Sequence, residues 1–166
     1  MLLELRKKIA NIICPEIETE RRSFERFANT DQLTGLANRR AFDLATATAA
    51  SDPQTVFILF DGNNFGKVNK AAGHATGDEV IKKAAAAIRS AAMKFNLDER
   101  CFRVGGDEFA VIAPVKFAQS IRWYAENLFG SFDVSGVAVS LTGEIGETLE
   151  KADSKLQARK AERKQK

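Results

Sequence analysis

The sequence predicts an α/β fold in which helices cover a β-sheet, and three kinds of segment support this prediction. Val56–Phe60 is a continuous run of β-branched and aromatic residues, which is typical of a buried strand. Two further apolar runs, Cys101–Val104 and Phe109–Ala113, flank a Gly-Gly turn and predict a β-hairpin. Segments between these strands repeat apolar residues every three or four positions, which favours amphipathic helices that pack on the sheet.

Residues 1–29 are predicted to form a helical segment that precedes the main domain at residues 30–166. Pro15 divides this segment into two apolar stripes, because proline interrupts a helix. The stripes consist of Leu2, Leu5, Ile9 and Ile12, and of Ile17, Phe24, Phe27 and Ala28. Two interpretations stay open: the segment packs on the domain as a helix, or it forms a short stalk that dimerises.

The main domain is predicted to begin with a turn-rich connector over Asp31–Asn38. Asn38 is the expected N-cap of a helix over Arg39–Ala50, since asparagine side chains accept hydrogen bonds from the first turn of a helix. The buried strand follows this helix. Asp61 is predicted to end the strand, and Gly62-Asn63-Asn64 to open a loop.

The rest of the domain is predicted to alternate helices with the hairpin and one further strand region. The predicted elements are a short helix over Phe65–Ala72, a long helix from Asp78 to about Asn96, the hairpin, a helix near Lys116–Phe129, one or two strands over Phe132–Thr142 with a turn at Ser135-Gly136, and a helix over Leu149–Arg159. The apolar face of the long helix contains Ile81, Ala84, Ala85, Ile88, Ala92 and Phe95. The helix near 116–129 is expected to bury Phe117, Ile121, Tyr124 and Leu128.

Bulk composition narrows the class of protein. A chain of 166 residues with 45% hydrophobic residues is large enough to fold around a core. Its net charge of +3 is too small to predict nucleic-acid binding. Cys14 and Cys101 are predicted to be free thiols in a reducing compartment. Without a signal peptide or a long apolar run, a soluble, cytoplasmic protein with no membrane partner is expected.

Acidic residues follow the predicted strands at two places. Asp107 and Glu108 lie in the hairpin turn, and Asp61 follows the buried strand. The turn by itself is equally compatible with a metal or phosphate site and with a solvated acidic loop. If the hairpin pairs beside the strand, the three carboxylates converge, and each pair about 4 Å apart would repel by ~4 kcal/mol at an effective dielectric near 20. Such a cluster requires a cation, and oxygen ligands favour Mg²⁺ or Mn²⁺ over zinc.

Three sequence blocks resemble the diguanylate cyclase (GGDEF) family. Gly105–Phe109 reads GGDEF, and Asp31–Phe42 reads DQLTGLANRRAF, which matches the family's DxLTGLxNRRxF block. Asn69, Gly73-His74 and Gly77-Asp78 match its N…GHxxGD block. The blocks occur in the family's order and spacing, and the resemblance extends over roughly residues 25 to 160. It implies a polymerase-palm-like α/β sandwich with a mixed, mainly antiparallel sheet, and therefore a GGDEF domain at residues 30–166.

The resemblance also implies a reaction. Members of the family condense two GTP into cyclic di-GMP, a bacterial signalling nucleotide, and release pyrophosphate with the help of Mg²⁺ or Mn²⁺. Asp61 matches the first metal aspartate, and Gly62 matches the residue that ligates through its carbonyl. Asp107 and Glu108 match the acidic pair of the signature, and Asp107 is our choice for the base that deprotonates the 3′-hydroxyl. A transient homodimer is implied, because one domain holds one GTP.

The substrate contacts implied by the resemblance are distributed along the chain. Asn69 and Asp78 match positions that hold guanine, whose N–H groups a carboxylate accepts. Phe65 matches an apolar wall of the nucleotide pocket, whereas His74 is expected to be a packed structural residue. Lys160 matches a lysine that contacts the triphosphate. Lys164 stands four residues later in place of an arginine, so it is expected to keep a charged contact to the phosphates but to lose the bidentate geometry. Other positions depart from the family: Gly66 replaces a lysine for which Lys67 is a substitute, Gln157 replaces a tyrosine, and the closing GRN motif is absent.

Alternative functions remain open at the level of sequence. The intact set of Asp61, Asn69, Asp78, Asp107 and Glu108 favours an active cyclase. A catalytically silent domain that binds GTP as a sensor or interaction module is the main alternative, and a cyclase for another purine is a weaker one.

A separate family feature is missing from this sequence. Many members carry an RxxD motif that binds the product and inhibits the enzyme. The matching positions here are Asn96–Glu99, and Asn96 replaces the arginine. We therefore expect little product inhibition at this site, because the cation that would pair with the product phosphate is absent.

Overall fold

The computed structural model describes residue 4 and residues 15–164, without the side chains of residues 15, 16 and 164. The chain divides into two compact units, Met1–Thr30 and Asp31–Lys166. Within the first unit, helix α1 extends over Pro15–Asn29, and its apolar residues Ile17, Phe24 and Phe27 are exposed. The predicted stripe from Leu2 to Ile12 and the thiol of Cys14 lie outside the described residues, and the choice between a packed helix and a stalk stays a prediction.

The second unit contains five further helices and five strands in the described part of the chain. They are α2 over Arg39–Ala49, β1 over Thr55–Asn63, α3 over Phe65–Ala72, α4 over His74–Met93, β2 over Cys101–Arg103, β3 over Glu108–Pro114, α5 over Val115–Phe129, β4 over Ser131–Val134, β5 over Val137–Gly146 and α6 over Leu149–Lys164. Within the described ranges, none of these helices is both long and apolar enough to cross a membrane.

The strands form one sheet in the order β2-β3-β1-β5-β4. Each pair of neighbouring strands is antiparallel, and an isolated parallel bridge joins Ala37 to Phe102 beside β2. Eight of the nine residues of the central strand β1 are buried, as its continuous apolar run predicted. The α/β sandwich inferred from the sequence is therefore confirmed.

Helices cover both faces of the sheet, because alternate residues of β1 point to opposite sides. Ile58 and Phe60 belong to the larger core cluster, which they share with buried residues of α3, α4 and α5. Phe57 and Leu59 belong to a smaller cluster with Phe42 of α2 and with Ala152 and Leu156 of α6. The buried thiol of Cys101 is free, as predicted.

The structure extends β1 beyond its predicted end. The sequence placed Asp61 after the strand and Gly62 in a loop, but the strand continues to Asn63. The reason is that two neighbouring strands continue alongside: Asp61 pairs with Glu108 of β3 on one side and with Thr142 of β5 on the other. An apolar run alone could not indicate this extension, because the paired residues beyond it are polar.

Helix boundaries also differ from the sequence prediction. The long helix was predicted to begin at Asp78, but α4 begins at His74, so Asp78 lies inside its first two turns. Gly73 has φ +83° and separates α3 from α4, and only glycine adopts this conformation without strain. His74 is exposed rather than packed, and Leu128 of α5 is 49% exposed rather than inward. Asn38 caps α2 as predicted, because its side chain accepts a hydrogen bond from the Ala41 N–H.

We predict that Gly146→Ala destabilises the domain by about 1–3 kcal/mol, as overpacking of a core does. A Cβ at Gly146 would lie 2.2 Å from the backbone nitrogen of Ala152 at the start of α6. Gly66→Ala in α3 is the matched control, since nothing lies within 4 Å of its Cβ position. The control should be neutral or stabilising by about 0.5–1 kcal/mol. Urea unfolding measures both free energies, and equal stability of Gly146→Ala and the parent would refute the close contact.

Candidate active site

The pairing of β1 with β3 brings two acidic side chains together. Asp61 is buried on β1, and its register partner across the strands is Glu108 on β3. The Gly62 N–H donates a hydrogen bond of 3.0 Å to the carbonyl oxygen of Asp107, which holds the hairpin tip against β1. The hairpin predicted around the two glycines is therefore fixed to the central strand at its acidic end.

Lys160 of α6 bridges these two carboxylates. Its Nζ lies 2.8 Å from Oδ1 of Asp61 and 3.3 Å from Oε1 of Glu108. Burial alone would lower the pKa of Lys160, but the hydrogen bonds and charges of Asp61 and Glu108 outweigh burial and raise it. The lysine is therefore a permanent cation at the centre of the site.

Asp107 and Glu108 point in different directions, as expected for adjacent residues at the start of a strand. Asp107 lines a cleft of about 750 Å³, whereas Glu108 lines a cavity of about 300 Å³ between the sheet and helices α2 and α6. Burial, and then the negative charge of Asp61, raise the pKa of Asp107 above its ordinary range. A carboxylate with a raised pKa is a better proton acceptor than an ordinary aspartate.

The larger cleft combines acidic, basic and amide side chains. It is lined by Asp61, Gly62, Asn63, Asn64, Lys67, Asp107, Lys160 and Arg163. Its volume lies in the range of small-molecule sites. The amide of Asn63 donates hydrogen bonds to the hydroxyls of Ser140 and Thr142 on β5, so this wall of the cleft is held by side chains of two strands.

The donor atoms of the site fit a hard divalent cation. Asp61 and Glu108 present carboxylate oxygens, and the ammonium group between them shows that this position accommodates positive charge. Among the residues that the structure describes, however, no group of three or more His, Cys, Asp or Glu side chains is arranged to hold a metal. The predicted convergence of three carboxylates is thus realised for Asp61 and Glu108, while Asp107 faces the cleft beside them.

The two signature glycines have different roles. Neither Gly105 nor Gly106 has a positive φ, so the turn itself does not require the conformational freedom of glycine. A Cβ at Gly105 would lie 2.6 Å from Oε2 of Glu108, whereas a Cβ at Gly106 would meet nothing within 4 Å. Gly105 therefore provides space for the Glu108 carboxylate, whereas Gly106 is required neither for space nor for the backbone conformation.

A salt bridge connects the connector before α2 to the signature hairpin. Nη1 of Arg103 lies 3.1 Å from Oδ1 of Asp31, and Nη2 of Arg103 donates a hydrogen bond of 2.8 Å to the carbonyl of Gly106. Asp31 also accepts hydrogen bonds from the backbone and hydroxyl of Thr34. Sequence reasoning missed these contacts of Arg103. A usable signal was present, because Arg103 is a charged residue within the apolar segment Cys101–Val104, two positions before the signature.

The residues matched to guanine binding meet where α3 and α4 approach each other. A Cβ at Gly77 would lie 1.7 Å from Oδ1 of Asn69, so these helices touch at that point. This oxygen is buried and has no hydrogen-bond partner among the described residues. Asp78, the neighbour of Gly77, is half-buried beside it. A buried acceptor without a donor is costly for a protein and is typical of a position that receives a ligand donor.

The other residues predicted to contact the substrate are Phe65 and Lys164, and the structure does not place either of them in the lining of the cleft. Phe65 is buried, with its ring 5.8 Å from that of Phe129 and directly against Gly62, so it supports the strand end from below the cleft. The side chain of Lys164 lies outside the described atoms. Arg163, which sequence reasoning missed, lines the cleft instead, as does Lys67.

We predict that Asp31→Asn costs about 1–3 kcal/mol of folding stability at neutral pH, because the half-buried guanidinium of Arg103, whose side chain is 14% exposed, loses its charged partner. Burial acts to raise the pKa of Asp31, but the hydrogen bonds from Thr34 and Arg103 lower it overall. The contribution of a carboxylate with a lowered pKa is complete above its unfolded pKa and is lost as the pH falls through its folded pKa.

Chemical denaturation between neutral pH and about pH 3 measures this dependence. The difference between Asp31→Asn and the parent should shrink as the pH falls below about 4. Asp43→Asn is the control, because its salt bridge with Arg39 is 59% and 63% exposed on the two side chains and should contribute less than about 0.5 kcal/mol. A difference that stays constant down to acidic pH would contradict the assignment of this salt bridge.

The amino-acid sequence of this chain is similar to those of known proteins. A family model described as "Diguanylate cyclase, GGDEF domain" matches residues 28–128. Diguanylate cyclase VdcA of Vibrio cholerae is 37% identical over 125 residues, which cover 70% of this chain and 36% of that protein. Cyclic di-GMP phosphodiesterase PdeR of Escherichia coli is 40% identical over 110 residues, which cover 61% of this chain and 16% of PdeR. This chain therefore spans only part of the length of these relatives.

A solved structure resembles almost the entire chain. The coiled coil and GGDEF domain of DgcB from Caulobacter crescentus, in complex with c-di-GMP, has a TM-score of 0.74 and 25% sequence identity. The similarity covers 97% of this chain and 95% of that chain.

Proposed function

Since this chain belongs to the diguanylate cyclase (GGDEF domain) family, we propose that it condenses two GTP into cyclic di-GMP and pyrophosphate. In each half of the reaction the 3′-oxygen of one GTP bonds to the α-phosphorus of the other. The bond from that phosphorus to the bridging oxygen breaks, and pyrophosphate leaves. The observation that carries the proposal is the pairing of Asp61 with Glu108 beside a basic cleft of about 750 Å³.

The acidic residues would hold a metal and move a proton. Asp61, Glu108, Asp107 and the carbonyl of Gly62 would ligate Mg²⁺ or Mn²⁺, which when bound neutralises charge on the phosphate oxygens. Asp107 would accept the proton of the 3′-hydroxyl, and its raised pKa supports this role. These residues all lie at the same end of the paired strands β1 and β3, so they would act on one reacting group.

The substrate would extend from the helix pair to the cleft. Asn69 and Asp78 would bind the guanine edge, because the unpartnered Oδ1 of Asn69 accepts a guanine N–H group. Phe65 would form the apolar wall under the nucleotide. Lys160 would contact the triphosphate together with a second basic residue of α6, for which the sequence match gives Lys164. Discrimination against adenine follows, since adenine would leave the Asp78 carboxylate without its donors.

Two copies of the domain would work together, because one domain holds one GTP and the product contains two guanosine monophosphate units. The protein would act in the cytoplasm. The productive dimer would be transient, and the exposed apolar stripe of α1 supports a stalk that assists it. DgcB, whose structure includes a coiled coil next to the GGDEF domain, supports this arrangement by similarity.

A catalytically silent domain that binds GTP is the second candidate function. The similarity to the phosphodiesterase PdeR favours it, as does the departure from the family at Gly66. The departure at Gln157 does not distinguish the two functions. Gln157 is exposed and contacts Asp153 of its own helix, so it does not replace a site residue. The two functions differ in whether GTP is consumed.

Incubation with GTP and Mg²⁺ tests the proposal directly, and we expect cyclic di-GMP and pyrophosphate as products. Glu108→Gln should reduce the rate at least about 100-fold, because it removes a charge from the metal site without changing the size of the side chain. Glu147→Gln is the control: Glu147 is exposed and bound to Lys151, and its rate should equal that of the parent.

Product chromatography gives the rate, and circular dichroism verifies the fold of each variant. The specific rate should rise with protein concentration, as expected for a transient dimer. Bound but unconverted GTP in the parent would favour the silent domain, and full activity of Glu108→Gln would refute the metal assignment.

We also predict that cyclic di-GMP does not bind tightly near residues 96–99. Asn96 stands at the position of the family's arginine, so the cation that would pair with a product phosphate is missing there. Asn96 adopts φ +58°, and a 3₁₀ turn over Asp98–Arg100 begins after Leu97. A missing charge-assisted hydrogen bond costs about 1.5–3 kcal/mol, roughly ten- to a hundred-fold in affinity. Calorimetry with cyclic di-GMP should therefore show no sub-micromolar binding. Tight binding that Asn96→Ala and Glu99→Ala abolish would contradict this.

A further inference from the structure

The basic residues of the 750 Å³ cleft differ in whether they have acidic partners. Lys160 is neutralised by Asp61 and Glu108, since its Nζ lies within 3.3 Å of both carboxylates. Lys67 and Arg163 also line the cleft but form no ion pair with any residue that the structure describes. The cleft therefore presents two cations whose charge is available to a ligand.

Of these two cations, Arg163 gives the stronger indication of a bound ligand. Its Nη2 atom is buried and has no hydrogen-bond partner within the described part of the chain. Burying a charged donor without an acceptor is costly, so an acceptor from outside the chain is expected at this place. The guanidinium group is a planar fork that binds phosphate through two parallel hydrogen bonds.

The positions of these residues in the fold identify the class of ligand. Arg163 lies three residues after Lys160 on α6, so both side chains project from one face of that helix. Lys67 reaches the cleft from α3 on the other side of the β1 end. Cations on two walls, beside carboxylates that suit a divalent cation, fit a chain of several phosphates better than a single carboxylate group.

We propose that Arg163 and Lys67 bind the polyphosphate chain of the substrate, and that Arg163 rather than Lys164 supplies the guanidinium contact. The inference rests on the proposed function and identifies the residues that hold the triphosphate in this chain. Gly66 and Lys164 occupy the positions where the family has a lysine and an arginine. In this chain the equivalent charges are supplied one residue later on α3 and one residue earlier on α6.

Calorimetric titration with inorganic pyrophosphate, first without and then with Mg²⁺, tests the assignment. Arg163→Gln should weaken pyrophosphate binding roughly tenfold or more, and Lys67→Gln should weaken it several-fold. Arg163→Lys should restore only part of the affinity, because it keeps the charge and loses the fork. Lys164→Gln should weaken binding less than Arg163→Gln does. Lys151→Gln is the matched control on the same helix, because Lys151 is 60% exposed and paired with Glu147, and its affinity should stay within about twofold of the parent.

The outcomes separate this inference from the proposed function. Unchanged pyrophosphate affinity in Arg163→Gln, or a loss in Lys164→Gln that exceeds the loss in Arg163→Gln, overturns the assignment. Pyrophosphate binding that depends on Arg163 in a protein that makes no cyclic di-GMP supports the assignment and overturns the proposed function. Because Arg163 lies near the end of α6, the helix should tolerate the substitution, and unfolding curves of each variant verify that the fold is intact.

Discussion

The antiparallel pairing of β1 with β3 is the constraint on which the site depends. It places Asp61 directly opposite Glu108, and two carboxylates about 4 Å apart repel by ~4 kcal/mol at an effective dielectric near 20. Lys160 offsets this repulsion by contacting both. The sheet thus brings like charges together, and helix α6 supplies the opposite charge that makes the arrangement stable.

Helix α6 contributes both to the core of the domain and to the cleft. Ala152 and Leu156 on one part of the helix pack against the sheet, while Lys160 and Arg163 reach the cleft. The close approach of Gly146 to the backbone of Ala152 sets the distance between helix and sheet. A small displacement of α6 would therefore move both cations relative to the acidic pair, so the packing of this helix on the sheet fixes the positions of both.

The hairpin tip is fixed by two further interactions that are independent of any ligand. The Gly62 N–H binds the carbonyl of Asp107, and Arg103 binds the carbonyl of Gly106 while it is paired with Asp31. Backbone groups in a turn would otherwise be free to rotate, and each contact removes part of that freedom. The backbone that carries the carboxylates of the signature is therefore held in place by contacts within the domain itself.

The sequence by itself determined the class of fold, the hairpin, the buried strand and the acidic residues, because each depends on local patterns of apolar and turn residues. It also indicated helix α3 from Phe65 to Ala72 with its observed bounds. Only the tertiary structure decided that β1 continues through Asp61, since the partners that extend it are distant in the chain. The same holds for Arg103 and Arg163, whose contacts depend on which carbonyl, carboxylate or cleft lies near the guanidinium group. The order of residues in the chain does not contain the distances between these groups.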